Sequence, residues 1–202
     1  MTKISVLTLP FDLTSCGPFE LSRSSPPVHI LHSLCWDPNE ADITILCDAS
    51  PTGMGFWIPA ECIGFHATSP FEELPFIFFL EALCILNALL FSEGRGLGRT
   101  KVLLYTDNHN TVDIFSSLHC LPEYNGIIRS SVDLRLRSLI DLHVLHIPEE
   151  DNGVADALSH GDIARALSLC PTLQVTPFNP FVPSPHADDQ KPPQFNAGGD
   201  SI

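Results

Sequence analysis

The stretch ITILCDASPTGMGFWI, residues 43–58, decides how this chain begins to fold. It opens with an apolar run that ends at Asp48, continues through the turn-forming ASPT at 49–52, and returns as a second apolar run at 53–58. Short apolar runs separated by turn residues are typical of buried strands that pair as a hairpin. A third run at 62–67 extends the pattern, so we expect a short antiparallel meander of three strands.

Outside this stretch, segments of helix and strand length alternate, which predicts the element order βββ-α-β-α-α-β-α. We expect one domain over residues 42–169. Prolines and glycine break residues 1–41 into an extended lead-in, and the proline-rich residues 170–202 are expected to be a disordered tail. The further expected elements are helices at 74–91, 111–118, 125–140 and 153–169, the last running through Gly161, and strands at 101–106 and 142–147.

Charge and cysteine content limit the class of protein. The net charge is −14, and a nucleic-acid binder usually has a basic surface, so this acidity predicts either an ordinary solvated surface or weakened affinity for a polyanion. Seven scattered cysteines without a CxxC pair argue against a zinc site and a disulfide framework. We expect a reduced intracellular compartment, cytoplasm or nucleus rather than secretion, with Cys47 and Cys84 as small core residues.

The segment 74–91 is apolar enough to raise the question of a membrane span, because Glu81 is its one charged residue. That charge lies near the middle, Asn87 and Pro75 interrupt the apolar run, and the flanks are acidic rather than basic. We therefore expect a buried core helix and no membrane partner.

Four carboxylates lie in segments where a charge has no structural reason to be: Asp48, Glu81, Asp107 and Asp156. A charge in an apolar segment costs several kcal/mol unless it is compensated. Bound divalent cations would compensate four groups of one sign. Three of the four also have a structural interpretation, since Asp48 and Asp107 could begin turns and Asp156 could favour a helix N-terminus, whereas a lone acid such as Glu81 in an apolar helix rarely caps or pairs locally.

The sequence around these carboxylates resembles the ribonuclease H domain of reverse transcriptases from LTR and DIRS-type retrotransposons, especially fungal ones. The resemblance covers about residues 42–165 and implies an α/β ribonuclease-H-like fold, with a five-stranded mixed sheet flanked by helices. The matching segments are CDAS at 47–50, GMGF at 53–56, EAL at 81–83, YTDN at 105–108 and DNGVADALS at 151–159.

The resemblance also implies a chemistry, the hydrolysis of the RNA strand of an RNA–DNA hybrid with two Mg²⁺ ions, for which Mn²⁺ could substitute. By resemblance, Asp48 would bridge both ions, Glu81 and Asp107 would complete one side, and Asp156 the other. Carboxylates suit Mg²⁺, which prefers hard oxygen ligands. We expect mutual repulsion to raise the pKa values of the metal-free carboxylates.

Five further residues are candidates for contacts with nucleic acid. Arg129, Arg135 and Arg137 follow a helical spacing that suits phosphate contacts, although a solvated helix face explains them equally well. Asn108 and Asn152 are candidates because they lie beside the predicted metal ligands in the matching segments.

Several residues depart from the pattern of these relatives. The loop before the last helix has no histidine, and it carries Glu149 where proline is usually followed by glycine. The final segment ends in His160 where arginine is usual. Losing a cation and gaining an acid would both weaken the approach of a polyanion. His109, His143 and His146 are expected to be ordinary loop and strand residues.

Two alternatives stay open at this level. The domain could be a noncatalytic ribonuclease-H-fold module that binds nucleic acid or protein, or a DNA-processing relative such as an integrase-like nuclease. The ADALS ending at 155–159 argues against the latter. The chain lacks a Tyr-x-Asp-Asp polymerase signature, so a reverse transcriptase polymerase domain is an expected partner and not part of this sequence.

Overall fold

The computed structural model describes residues 36–71, 77–93, 95 and 99–184. The expected lead-in up to residue 35 and the last 18 residues lie outside this part of the chain. The strands are β1 (Ile43–Ser50), β2 (Gly53–Ile58), β3 (Ile63–Thr68), β4 (Thr100–Thr106), β5 (Ile140–His146) and β6 (Gln174–Pro177); the α-helices are α1 (Ile77–Ser92), α2 (His109–Ser117), α3 (Asn125–Ser138), α4 (Gly153–Ser159) and α5 (Ile163–Leu169).

The described strands form one mixed sheet in the order β5-β4-β1-β2-β3-β6. The strands β1, β4 and β5 are parallel, β2 is antiparallel to both β1 and β3, and β6 is parallel to β3. Parallel strands end at the same edge of a sheet, so residues at the carboxyl ends of β1, β4 and β5 are brought together there.

One face of the sheet is covered by α1, whose side chains are buried from Leu80 to Leu90. Cys47 and Cys84 are fully buried in this core, which confirms their expected role. The expectation of a core helix is confirmed as well, and within the described residues no helix is long and apolar enough to span a membrane.

The opposite face is covered by α4, which approaches β2 at two glycines. A Cβ at Gly55 would lie 2.5 Å from both the Leu158 Cβ and the Ser159 backbone nitrogen. A Cβ at Gly53 would lie 2.2 Å from the Ala67 carbonyl oxygen and 2.9 Å from that of Ser159. Only residues without a side chain allow this approach. The contact holds α4 against the strand that pairs with β1.

The sheet has a sixth strand, which corrects the expected count of five. The strand β6 lies in the part of the chain that was expected to be a disordered tail, and residues 170–184 instead pack on the domain. Phe178 contacts Phe56 with ring centroids 5.2 Å apart. The Asn87 side chain accepts a hydrogen bond from the Phe181 backbone N–H at 2.8 Å and donates one to the Phe181 carbonyl at 3.1 Å. The sequence did not predict this packing, because the segment is rich in proline and its apolar residues follow neither a strand period nor a helix period.

The predicted single helix at 153–169 is two helices, which is a second correction. Gly161 has φ +70°, a left-handed conformation that ends a helix rather than continuing it. The chain then restarts as α5, where the Asp162 side chain accepts a hydrogen bond from the Arg165 backbone N–H at 3.0 Å. The turn brings α5 back beside α4.

Substituting Gly55→Ala tests the contact between α4 and β2. The added methyl group would meet backbone as well as side chain of α4, so we expect a loss of about 3 kcal/mol in the free energy of unfolding. Gly126→Ala is the control, because a Cβ there meets its nearest atoms at an ordinary 3.5 Å. Urea denaturation measures both, and an unchanged midpoint for Gly55→Ala would contradict the close contact.

Candidate metal centre

Three of the four candidate carboxylates meet at the carboxyl edge of the parallel strands. One oxygen from each of Asp48, Glu81 and Asp107 lies within 4.8 Å of the other two. The parallel pairing of β1 with β4 places Leu46 opposite Tyr105, so Asp48 and Asp107, two residues further along, lie level with each other. Glu81 reaches the same point from the amino-terminal part of α1.

Glu81 is the most strongly perturbed of the three carboxylates. It is buried, and it accepts hydrogen bonds from the Thr106 hydroxyl at 3.3 Å and from the Ala49 backbone N–H. Burial, followed by the negative charges of Asp48 and Asp107, raises the pKa of Glu81 to about 9. The side chain is therefore held in place but protonated near neutral pH in the metal-free protein.

The pKa values of Asp48 and Asp107 are raised for similar reasons, but by less than that of Glu81. Burial is the main cause that raises the pKa of Asp48 to about 7, a hydrogen bond from the Ser159 side chain opposes it, and the charge of Asp107 adds to it. Asp107 is less buried, and burial together with the nearby charge of Glu149 raises its pKa. The expected mutual repulsion of the carboxylates is thus present, although burial contributes more to the shifts.

Asp156 borders this cluster without joining it. Its charge adds to the raised pKa values of both Asp48 and Asp107, which shows that it lies nearby. Its carboxylate forms a salt bridge with Arg165 and lies 3.6 Å from the His160 Nε2. The structure therefore brings three of the predicted ligands together and pairs the fourth with a cation.

The contact of Arg165 with Asp156 was not predicted from the sequence, because one continuous helix was expected over residues 153–169. In one helix, residues nine apart lie on opposite faces and are separated by roughly 13 Å along the axis. The break at Gly161 folds α5 back and makes the contact with Asp156 possible. The signal in the sequence was the glycine itself, followed by the capping residue Asp162.

Asn152 was predicted to contact nucleic acid, but it is buried in the structure. Its side chain is fully buried, and its Nδ2 donates a hydrogen bond to the Cys47 carbonyl oxygen at 3.0 Å. At the other end of α4, the Ser50 hydroxyl donates to the Ser159 carbonyl at 2.9 Å. Asn152 therefore holds α4 beside β1 and does not face a ligand.

The other predicted contacts occupy two different places. Asn108 lies next to Asp107, where its side chain caps α2 by accepting a hydrogen bond from the Thr111 backbone N–H at 3.1 Å. Arg137 forms a salt bridge with Glu93 at 2.8 Å.

Two of the three arginines of α3, Arg135 and Arg137, lie in the last turn of that helix. The helix leads directly into the start of β5, whereas Asp107 follows the end of β4, the parallel neighbour of β5. Arg135 and Arg137 therefore lie at the opposite end of the sheet, and burial lowers the pKa of Arg135. Arg129 is exposed about two turns earlier. Phosphate contact by these arginines stays a prediction.

Two histidines stack beside the carboxylates. The rings of His109 and His146 lie 3.8 Å apart between centroids and 3° from parallel, and His146 acts to lower the pKa of Asp107. Both residues are exposed; His109 is the first residue of α2 and not part of a loop as expected, and His146 ends β5. His143 instead stacks on Trp36, with ring centroids 4.0 Å apart.

The sheet order and the helices on its two faces define a ribonuclease-H-like α/β fold. A solved structure of LC11-RNase H1 from compost, in complex with an RNA/DNA hybrid, matches with a TM-score of 0.52 and 21% identity over 62% of this chain and 99% of that one. RNase H1 from the halophilic archaeon Halobacterium salinarum matches with a TM-score of 0.43 and 16% identity over 59% and 98%. At 21% identity, the likeness to LC11-RNase H1 shows the fold alone. No family model matches the sequence, and no curated protein does either.

The raised pKa values predict a pH dependence of stability in the metal-free protein. The native state holds protons on Glu81 and Asp48 that the unfolded chain releases at lower pH, so the free energy of unfolding falls as pH rises from about 5 to about 9. Glu81→Gln removes the larger cause, because its side chain cannot ionise. We expect this variant to be more stable than the wild type by several kcal/mol at pH 9, because each unit of the pKa shift corresponds to about 1.4 kcal/mol, and similar to it at pH 5.

Thermal denaturation in EDTA across this pH range measures the effect. The exposed Glu123→Gln is the matched control, and it should follow the wild-type curve. If Glu81→Gln also followed the wild-type curve, Glu81 would not be buried in the way described.

Proposed function

We propose that this protein is a divalent-metal-dependent nuclease that hydrolyses the RNA strand of RNA–DNA hybrids. The observation that carries the proposal is the convergence of Asp48, Glu81 and Asp107 at the carboxyl edge of a ribonuclease-H-like sheet. Three buried or half-buried acids whose ligand atoms come this close together serve no packing purpose, and they destabilise the metal-free fold. A bound cation gives them a function.

The donor set fits Mg²⁺, with Mn²⁺ as a substitute. All the converging atoms are carboxylate oxygens, the hard ligands that both ions prefer, and the Cys47 and Cys84 side chains lie in the core. A bound ion would supply Lewis acidity toward a phosphate and would lower the pKa of a bound water. The raised pKa values make metal uptake depend on pH, because a bound ion must displace the protons that burial and mutual repulsion hold on the carboxylates.

The neighbouring residues keep the carboxylates in position for this role. Thr106 and the Ala49 N–H orient Glu81, and Ser159 orients Asp48. We propose that Asp48, Glu81 and Asp107 would hold a divalent ion, and that Asp156 would turn from Arg165 to help hold a second one. Asp107 is the most exposed of the three converging carboxylates, so it would be the most accessible to a substrate.

The proposed substrate rests on two supports: the resemblance of the sequence motifs, and a structural neighbour that was solved with an RNA/DNA hybrid. The acidic surroundings predict weak binding. Glu149 adds negative charge beside Asp48 and Asp107, so the affinity for a hybrid should be highest at low salt, with Mg²⁺ present to offset repulsion.

We further propose that the domain derives from a retrotransposon reverse transcriptase and that a polymerase domain is its partner. The support is the sequence alone, in the DNGVADALS segment at 151–159. A polymerase domain would add a basic hybrid-binding surface to this acidic chain.

A noncatalytic module is the second candidate function. The observation that favours it is the salt bridge between Asp156 and Arg165, which gives the fourth carboxylate a structural partner in place of a metal. The acidic Glu149, Glu150 and Asp151 before α4 favour it as well. Such a module would keep the fold and lose nothing measurable when a carboxylate is neutralised.

Cleavage of an end-labelled RNA–DNA hybrid at low salt tests the proposal directly. We expect cleavage with Mg²⁺ or Mn²⁺, none in EDTA, and a loss of at least 100-fold in Asp107→Asn, because a ligand carboxylate is removed. Asp113→Asn, an exposed acid on α2, is the matched control and should cleave like the wild type.

The alternative predicts a different set of results. Well-folded protein that leaves the hybrid intact at high enzyme concentration, with and without an added polymerase domain, would favour the noncatalytic module. Cleavage that survives in Asp107→Asn would show that the activity comes from elsewhere or from a contaminant.

A further inference from the structure

Arg165 has a position that the proposed chemistry does not explain. Within the described part of the chain, Asp156 is the one candidate ligand that forms a salt bridge, and Arg165 is its principal partner. Side-chain exposure is 26% for Asp156 and 48% for Arg165, so the pair lies at the surface beside the carboxylate cluster. Pairs this exposed are weak, and a divalent ion can displace the guanidinium group.

The backbone that presents Arg165 is fixed. The Asp162 side chain caps α5 at the Arg165 N–H, and the next residue, Ala166, is fully buried. Ala166 lies in the small apolar cluster that also contains Leu158 of α4. Only the long side chain of Arg165 is free to change partners, while its Cα stays in place.

Four other cations of the described residues form salt bridges away from the carboxylate cluster. Arg95, Arg99, Lys101 and Arg137 form salt bridges with Glu61, Asp141, Glu40 and Glu93 respectively. None of these acids is a candidate ligand. Arg165 is therefore the salt-bridged cation, among the residues the structure describes, whose charge is coupled to the proposed metal centre.

We propose that Arg165 alternates between two partners: Asp156 in the metal-free protein, and a backbone phosphate of bound nucleic acid once Asp156 turns to a metal ion. This inference rests on the proposed function. A guanidinium group and a divalent cation compete for the same carboxylate oxygens, so Arg165 lowers the affinity for the ion that Asp156 helps to hold. A guanidinium group also suits phosphate, to which it can donate two parallel hydrogen bonds.

The exchange couples metal to nucleic acid. A phosphate that draws Arg165 away frees Asp156 for metal, and a metal that captures Asp156 frees Arg165 for phosphate. By linkage, each ligand must then raise the affinity for the other by the same factor. Arg165 is in this sense a positioning residue that acts through Asp156.

The competition between Arg165 and a metal ion for Asp156 is tested by Mn²⁺ binding to the full chain without nucleic acid, measured by electron paramagnetic resonance. We expect Arg165→Ala to tighten the weaker Mn²⁺ site about three-fold and Arg165→Lys to stay near the wild type. Arg95→Ala is the charge-matched control, because it removes the same charge from the Glu61 salt bridge, and it should change affinity less. Unchanged or weaker binding in Arg165→Ala would overturn the inference.

The double variant separates a specific effect from a general change of charge. In an Asp156→Asn background, Arg165→Ala should no longer tighten Mn²⁺ binding, because the residue through which it acts is gone. If the three-fold gain persisted there, Arg165 would not act through Asp156.

The contact of Arg165 with a backbone phosphate is tested with a non-cleavable hybrid that carries 2′-O-methyl RNA. The hybrid should tighten Mn²⁺ binding in the wild type, and Arg165→Ala should remove most of that increase. Equal increases in both proteins would overturn the exchange.

The same titrations keep the inference distinct from the proposed function. If the wild type bound no Mn²⁺, or bound it equally well as Asp107→Asn, the metal centre itself would be refuted. If binding depended on Asp107 and not on Arg165, only the inference about Arg165 would fall.

Discussion

The approach of α4 to the sheet at Gly55 is the constraint on which the rest of this site depends. The helix backbone packs where a side chain would stand, and this places Ser159 against Asp48 and Asn152 against the Cys47 carbonyl. The fourth carboxylate reaches the edge of the other three only because α4 is held so close. A bulkier residue at position 55 would meet α4 and not the neighbouring strands, so it would push α4 away from the carboxylates.

The arrangement has an electrostatic cost, because it buries carboxyl groups that would be ionised in water. Burial holds Glu81 and Asp48 protonated at pH values where free acids are ionised, so the metal-free site is stabilised by protons in place of cations. Residues that pack poorly for stability and well for ligation are the usual signature of a functional site. The core of α1 compensates for this cost, with an almost continuous run of buried apolar side chains around Glu81.

The strands β1 to β5 and the first four helices could be predicted from the sequence because their signals are local. An apolar run that ends in an acid predicts both a strand and the position of Asp48. Asp48, Glu81 and Asp107 do converge in the structure. What could not be predicted depends on contacts between distant parts of the chain. The strand β6 has few apolar residues and owes its position to pairing with β3, and Arg165 reaches Asp156 only after the reversal at Gly161. Asn152 looked like a ligand-facing residue because burial cannot be inferred from a polar side chain in a loop.

The segment that follows α5 has a consequence for how the protein folds during synthesis. Phe178 fills the core against Phe56, and the Asn87 amide in the middle of α1 is satisfied by the Phe181 backbone. A nascent chain cannot complete this core until residue 181 has left the ribosome, long after the carboxylate-bearing elements have emerged. Until then the Asn87 amide of α1 would lack its Phe181 partner, and the aromatic cluster around Phe56 would be incomplete. The partly synthesised domain would therefore be a good substrate for chaperones.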